Sequence, residues 1–355
     1  MTERVAVVPR ERMPFPIDAA VMAWPPDGVH PQTRRTETMP RTIAAGIGLT
    51  EYPFRTPSGF WRWIDLCEQG GVDSIWQTDR LISRTPILEC MTALAAIAGR
   101  TRRIKFGVNV IAVAMRDPVL LAKQCATIDV LSEGRLLPGF GIGSPRAPEW
   151  DAMHLDRTTR GRRTDEALEI VSRLWMGEKL TYAGKHFQLT NASISPLPVQ
   201  AELPMWIGGS SEAAVRRTAK YGTGWQAGSE TPETVGQVIA AIKAAAVEAG
   251  RAIDEDHYGA SLGFRFGSAD DPGVAKAIES YTARTGRDAR THFAFGDADA
   301  IVERIARYVE NDACKFILRP VADGDEDMYA QTRLLVERVL PQMAARWPRA
   351  PRGTG

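Results

Sequence analysis

Cysteine is scarce in this chain, with four in 355 residues. No two of them form a CxxC pair, so neither a zinc-site spacing nor a redox dithiol is present. Cys67, Cys90, Cys125 and Cys314 are therefore read as buried, reduced thiols of an intracellular protein. Histidine is almost as sparse: His30, His154, His186, His257 and His292 are dispersed and form no HxH or HExxH group. That excludes the common metallohydrolase signatures and leaves the expected site without a metal. No GxSxG nucleophile elbow occurs. No apolar run reaches the ~18 residues of a membrane-spanning helix, and no apolar segment with a small-residue cleavage site opens the chain. A soluble cytoplasmic protein is the expectation. Excess charge is missing too. Forty-four Lys plus Arg face 43 Asp plus Glu, a net charge of +1, so no nucleic-acid or membrane surface is implied.

What the chain does have is a hydrophobic content of 44%, enough for a sizeable core. The most informative stretch is residues 117–144, DPVLLAKQCATIDVLSEGRLLPGFGIGS. Asp117 suits a helix N-cap and Pro118 the first helical position. Leu121, Cys125 and Ile128 recur at helical spacing, with Ala122 beside them. Gly134 stands where a C′ glycine ends a helix. An apolar strand, Leu136 to Phe140, follows and runs into Gly139-x-Gly141-x-Gly143-Ser144. A helix feeding a buried strand within two residues is the grammar of an α/β fold, and glycines at the strand's carboxyl end let a flat or anionic group approach the backbone.

Strand and helix patterns alternate along most of the chain. Strands are expected at Ile43–Leu49, Val72–Trp76, Ile104–Val113, Arg135–Gly141, Met205–Ile207, Gly224–Ala227, residues 257–267 and Phe316–Pro320. Helices are expected near Gly59–Gln69, Pro86–Ala98, from Pro118, at residues 160–176, after an N-cap at Ser210, after Thr231 and Pro232, at Ile301–Val309 and at Met328–Met343. The helix at 160–176 carries an apolar stripe of Ala167, Leu168, Val171, Leu174 and Trp175. The polar stretch after the seventh strand shows no clear pattern. Residues 177–204 break the alternation and read as a hairpin with an extended insertion. Eight strand–helix units of this length favour a (β/α)8 TIM barrel over residues 41–346, with that insertion after the fourth helix. Residues 1–40, which hold seven of the 23 prolines, read as an irregular N-terminal arm, and residues 347–355 as a flexible tail. The competing doubly wound sheet lacks its dinucleotide fingerprint: no third glycine follows Gly139-x-Gly141 at the right place, and Pro145 interrupts the helix start.

These segments resemble the bacterial luciferase-like flavin-dependent oxidoreductases. The resemblance lies in Asp117–Ser144, in Arg160–Trp175 (RGRRTDEALEIVSRLW), in Tyr182–Phe187 (YAGKHF), in Pro196–Gln200 (PLPVQ), in Trp206–Ser210 (WIGGS) and in Tyr221–Trp225 (YGTGW). The matches occur in the family's order over roughly residues 40–240. The resemblance implies a (β/α)8 barrel holding a flavin or deazaflavin at the carboxyl ends of its strands, and a homo-oligomer. It implies that Asn109-Val110, late in the third strand, forms a bulge with a non-prolyl cis peptide against the flavin ring.

Gly141, Gly143 and Ser144 would let the flavin approach. Gly208, Gly209 and Ser210, at a strand-to-helix turn, would cradle its phosphate through backbone N–H groups and the helix dipole. Trp225 and Gln226 would wall the cofactor or bond to it, and Arg160 or Arg163 would approach the phosphate. Where the family often has a catalytic histidine, this chain has Thr78-Asp79-Arg80, so that acid–base role does not transfer; Asp79 and Arg80 either reach the site or pair with each other. His154 is the histidine expected to face the pocket. Lys105 and Lys315 sit at strand starts, the wrong end of a barrel for a Schiff base. The expected activity is a monooxygenase that takes reduced FMN from a separate flavin reductase and uses O2 on a small organic substrate. Alternatives on the same fold are hydride transfer with the deazaflavin coenzyme F420 and a non-catalytic flavin-binding protein.

Overall fold

The computed structural model describes residues 41–271 and 274–348. The expected N-terminal arm and all but the first two residues of the expected tail lie outside them. In chain order, β1 (Ala44–Gly48) leads to α1 (Pro57–Gln69), β2 (Ser74–Gln77) to α2 (Cys90–Arg100) and β3 (Lys105–Ala112) to α3 (Pro118–Leu131). After β4 (Leu136–Gly141) come the short α4 (Glu149–Ala152) and the long α5 (Arg160–Trp175). An antiparallel hairpin of β5 (Leu180–Ala183) and β6 (Gln188–Ala192) follows. Then β7 (Trp206–Gly208) leads to α6 (Glu212–Tyr221) and β8 (Gly224–Gln226) to α7 (Pro232–Glu248). After β9 (Tyr258–Phe266) come α8 (Ala275–Thr285), α9 (Ala289–His292), β10 (Ala294–Gly296) and α10 (Ala298–Val309). Last are β11 (Lys315–Pro320), α11 (Gly324–Leu334) and α12 (Leu340–Arg346), the two helices joined by a π-helical stretch.

Eight strands pair in parallel around a closed ring, in the order β1, β2, β3, β4, β7, β8, β9, β11 and back to β1. The chain is thus the expected (β/α)8 TIM barrel, with β10 added in parallel at the end of β9. Two cores result from the alternation of side chains along each strand. Outside the strands, a large apolar cluster packs against the helices. Inside, Trp76, Leu137, Trp206 and Ile317 form a separate buried layer, with the two indoles edge to face at 6.4 Å. This layer fills the barrel, so any site lies above it, at the carboxyl ends of the strands.

Local chemistry explains most helix starts. Thr56, Asp117 and Thr231 each cap a helix whose first residue is proline. Several boundaries differ from expectation, among them the last helix, which starts at Gly324 rather than Met328 and is split into α11 and α12. Helix α2 begins at Cys90 rather than Pro86, because the Glu89 carboxylate caps it by accepting from the Thr92 amide at 2.8 Å. At the end of α3 the first left-handed residue is Glu133, with Gly134 second; φ is 56° and 80°. Ser211, not Ser210, caps α6. The polar stretch after β9 holds α8, α9 and β10, whose short lengths gave no readable period.

The segment at 177–204 is tied back to the barrel by two carboxylates: Glu166 of α5, which accepts from the Lys185, His186 and Phe187 amides at 2.9, 2.9 and 3.1 Å, and Asp129. Asp129, fully buried on α3, accepts from the Val199 amide at 2.9 Å, the Gln200 amide at 3.1 Å and Gln200 Nε2 at 2.7 Å. Asp129→Ala leaves those donors without their acceptor. A loss of roughly 2–4 kcal/mol and a fall in Tm of roughly 5–10 °C are expected, measured by thermal unfolding. A Tm within 1 °C of the wild type would show that the segment is held by other contacts.

Candidate functional site

The barrel mouth is shaped by an irregularity in β3. The register between β3 and β4 shifts between Val108 and Ile111, and the Asn109–Val110 peptide bond is cis. The Val110 side chain leans onto the neighbouring strands. A Cβ added to Gly141 would fall 2.5 Å from Val110 Cγ2, and one added to Gly208 would fall 2.9 Å from Cγ1. Both distances are below contact, so β4 and β7 need glycine at these positions for Val110 to fit. The space these glycines leave, expected to admit a ligand, is filled by Val110. Val110 itself is half-buried and forms a wall of the mouth.

Beside that wall lies an uncharged polar floor. Asn109 donates from Nδ2 to Ser261 Oγ at 2.9 Å, and Gln226 donates from Nε2 to the same oxygen at 3.3 Å. Ser261 and Gln226 are both buried. Three strands, β3, β8 and β9, thus meet through side chains that do not ionise.

The acidic residue that follows β2 is already committed. Asp79, just past β2, accepts from the Ala112 amide at 2.9 Å and from Arg116 Nη2 at 2.7 Å. Arg116 also reaches Glu89 at 3.1 Å. Burial opposes the Arg116 charge, but the carboxylates of Asp79 and Glu89 outweigh it and hold the guanidinium protonated more firmly than usual. The Cys90 thiol lies in the same cluster, 3.4 Å from Asp79, and burial pushes its pKa up, so it is not a nucleophile. Arg80 does not pair with Asp79. It faces Glu149 at 3.6 Å, while the Glu149 carboxylate accepts from the Leu81 amide at 3.2 Å and the Ile82 amide at 3.3 Å. Asp79 and Arg80 thus brace the loop after β2 through separate partners. His154 follows α4 as an exposed residue with φ 53°. The structure does not bring these three residues together.

A second part of the site is the turn from β7 to α6. Gly209 has φ 102°, and Gly209, Ser210 and Ser211 are exposed. The Ser211 hydroxyl accepts from the Ala214 amide at 3.3 Å, while the earlier amides of the first turn have no intrahelical partner. Trp225 supports the turn from beneath: fully buried among the outer core residues, it donates from Nε1 to Gly209 O at 2.7 Å. It braces the turn rather than walling the mouth. Helix α5 begins alongside. Arg217 of α6 bonds to Gly161 O at 3.2 Å and to Asp165 at 2.6 Å. Next to Gly161, Arg160 donates to Arg157 O at 3.0 Å, and its Nε is buried without a partner among the described residues. Arg163 is spent elsewhere, on Ala114 O at 3.0 Å and over the Phe187 ring. Gly143, with φ 74°, precedes the exposed Ser144, whose carbonyl accepts from Trp150 Nε1 at 2.7 Å.

Open helix amides, a dipole and an unpaired guanidinium nitrogen make a set of donors suited to a phosphate. An apolar wall beside an amide floor suits a flat heteroaromatic ring. The residues present therefore fit a phosphorylated flavin or deazaflavin. Sequence reading missed Ser261, Arg116 and Glu149. For Ser261 a signal existed, since Gly259, Ser261 and Gly263 alternate as small residues along β9.

Residues 39–308 match the family model described as luciferase-like monooxygenase. An uncharacterized protein of Mycobacterium tuberculosis is 32% identical over 167 residues, 47% of this chain and 57% of that one. The chain thus spans little more than half the length of the first curated relatives it matches. The F420-dependent glucose-6-phosphate dehydrogenase of Microbacterium testaceum is 27% identical over 326 residues, 79% of this chain and 92% of that one. Two solved structures share the fold. The monooxygenase RslO1 of Streptomyces bottropensis has a TM-score of 0.74 at 21% identity, covering 85% of this chain and 100% of that one. The FMN-bound oxygenating constituent of 3,6-diketocamphane monooxygenase of Pseudomonas putida has a TM-score of 0.69 at 18% identity, covering 85% and 99%.

The wedge of Val110 between two glycines is testable by double substitution. Gly141→Ala is expected to lower Tm by roughly 3–8 °C through overpacking, and Val110→Ala in the same chain to recover part of that loss. Strictly additive losses in thermal unfolding would show that the added methyl does not meet Val110.

Proposed function

This chain belongs to the luciferase-like monooxygenase family, and on that premise we propose that it is an FMN-dependent monooxygenase acting on a small, uncharged organic substrate. The observation that carries the reading is the makeup of the mouth: Val110, Asn109, Ser261 and Gln226 present no acid or base, and Asp79 is bound to Arg116 and the Ala112 amide. Reduction of a carbonyl by hydride transfer needs a proton donor beside the reacting atoms, and this arrangement offers none. When bound, reduced FMN supplies the two electrons with which O2 is split between the substrate and water. The chain's own part is to hold, orient and keep dry. Gly209, Ser210 and Ser211 offer the amides for the phosphate, and Arg160 adds its charge. Val110 supports one face of the ring. The amide floor bonds to polar edges without competing for protons. Glu149 clasps the loop after β2, and the role assigned to that loop is to keep water from one side of the bound ring. No dinucleotide fingerprint is seen in the sequence, so a separate reductase would deliver the reduced flavin.

A second reading, deazaflavin-dependent hydride transfer, is favoured by the likeness to the Microbacterium testaceum dehydrogenase over 79% of the chain, and the phosphate cradle suits either cofactor. Titration of the purified protein with FMN and with coenzyme F420 separates them. FMN binding, and incorporation of one 18O atom from labelled O2 into a product when a flavin reductase supplies reduced FMN, is the expected result. Binding of coenzyme F420 alone would replace the first reading with the second. Binding of flavin without turnover on a panel of apolar and aromatic substrates would favour a flavin-binding protein.

The role of Arg160 gives a narrower expectation. Arg160→Ala should weaken FMN binding about tenfold while leaving riboflavin, which lacks the phosphate, unchanged. Equal loss for both ligands in fluorescence titrations would remove Arg160 from the phosphate site.

A further inference from the structure

Ser261 lies on β9, 152 residues from Asn109 in sequence, yet the closed barrel brings their side chains together. Its oxygen accepts from two amides at once, one on β3 and one on β8. A hydroxyl has two lone pairs, and both are used. The two donors differ in how else they are held. Gln226 lies flat over Gly259, where an added Cβ would fall 2.0 Å from Gln226 Oε1. Packing therefore fixes Gln226 as well as the hydrogen bond. Asn109 is half-buried, and among the described residues its side chain hydrogen-bonds to Ser261 alone. The residue that follows is Val110, whose isopropyl group fits between Gly141 and Gly208 with no spare room. A change in the Asn109 side chain thus reaches the wall of the mouth through a single peptide unit.

We infer that Ser261 is a positioning residue for the cofactor ring. It acts through Asn109 and Val110 rather than on the ring, by fixing the angle of the wall against which the ring packs. This rests on the reading of the mouth as a flavin or deazaflavin site. A serine that only satisfied buried amides would affect stability and nothing else. A positioning serine alters the environment of the bound ring, and that change is carried by Asn109.

The test compares wild type, Ser261→Ala, Asn109→Ala and the double variant. Each is titrated with FMN and with coenzyme F420, following cofactor fluorescence and the visible absorbance band of the bound form. Thermal unfolding is measured without cofactor. Ser261→Ala is expected to raise the Kd of whichever cofactor the wild type binds by about tenfold and to shift its absorbance band. The double variant should bind no more weakly than Asn109→Ala alone, because both substitutions break the same link. Wild-type affinity with an unshifted band in Ser261→Ala, whatever its Tm, overturns the assignment, and so do losses that multiply in the double variant. Should Ser261→Ala not fold, Ser261→Cys, which keeps the shape with a poorer acceptor, carries the same comparison. A wild type that binds neither cofactor overturns the reading of the mouth and this assignment with it.

Discussion

The Val110 side chain stands where three parallel strands end, and two of those strands carry glycine because of it. Neighbouring parallel strands lie about 4.8 Å apart, too close for three full side chains to meet at one level. Gly141 on β4 and Gly208 on β7 give up their side chains, and the irregular end of β3 delivers one isopropyl group into the space. The consequences run outward from that contact. With Val110 turned towards β4 and β7, Asn109 is left facing the interior, where Ser261 meets it. With Gly208 fixed as the last residue of β7, the chain turns at Gly209 and opens the amides of α6 to solvent. Wall, floor and cradle are therefore parts of one steric arrangement.

A second regularity is how the buried and half-buried carboxylates are used. Asp129 holds the backbone at Val199 and Gln200. Glu149 holds Leu81 and Ile82. Glu68 accepts from three successive amides, those of Arg102, Arg103 and Ile104, at 2.9, 2.8 and 2.8 Å. Burial raises the Glu68 pKa, yet the three amides outweigh it and hold the carboxyl below its ordinary range. Asp79 belongs to the same group through the Ala112 amide. In each case a carboxylate holds a connecting segment: at the barrel mouth, between a helix and the next strand, or, for Asp129, between β6 and β7. Loops have few internal hydrogen bonds, and an anion with four lone-pair sites satisfies several amides at once. A carboxylate used in this way is withdrawn from proton transfer. The acids near the mouth stabilise backbone, and the one ionised side chain that β11 turns to the interior there is a cation, Arg319, beside Gly48.

Legibility in the sequence followed the range of the interaction. Helix caps and starts at Asp117–Pro118 and Thr231–Pro232 depend on residues within four positions and could be read directly. The eight-strand pattern could be read because buried parallel strands form short apolar runs. The β3 irregularity and its glycine neighbours came through family resemblance, since nothing in the local sequence at Asn109-Val110 announces them. The errors arose where partners are remote. Asp79 and Arg80 are adjacent, which suggested a pair, but their partners lie 37 and 69 positions away, at Arg116 and Glu149. Trp225 ends a strand beside glycines, which suggested the mouth. Alternation places Gln226 inward and Trp225 outward, and the short strand gave too few residues to read that phase. The shift from Ser210 to Ser211 as the cap of α6 is a one-residue difference between two equally good capping residues, decided by the turn at Gly209.

The bond between Asn109 and Ser261 shows how a weak interaction can matter to such a site. One neutral hydrogen bond contributes about 1 kcal/mol to stability, a small share of the total for a domain. It cannot hold the barrel closed, and the apolar layer of Trp76, Leu137, Trp206 and Ile317 does not need it to. A difference of about 1.4 kcal/mol is nevertheless tenfold in population. For a half-buried side chain with several accessible rotamers, that is enough to select one. Closure of the barrel supplies the partner, because residues 152 apart in sequence meet only when β3 and β9 face each other across the interior. Stability and site geometry are thus coupled in one direction: loss of the barrel abolishes the bond, whereas loss of the bond leaves the barrel intact and the mouth less well defined.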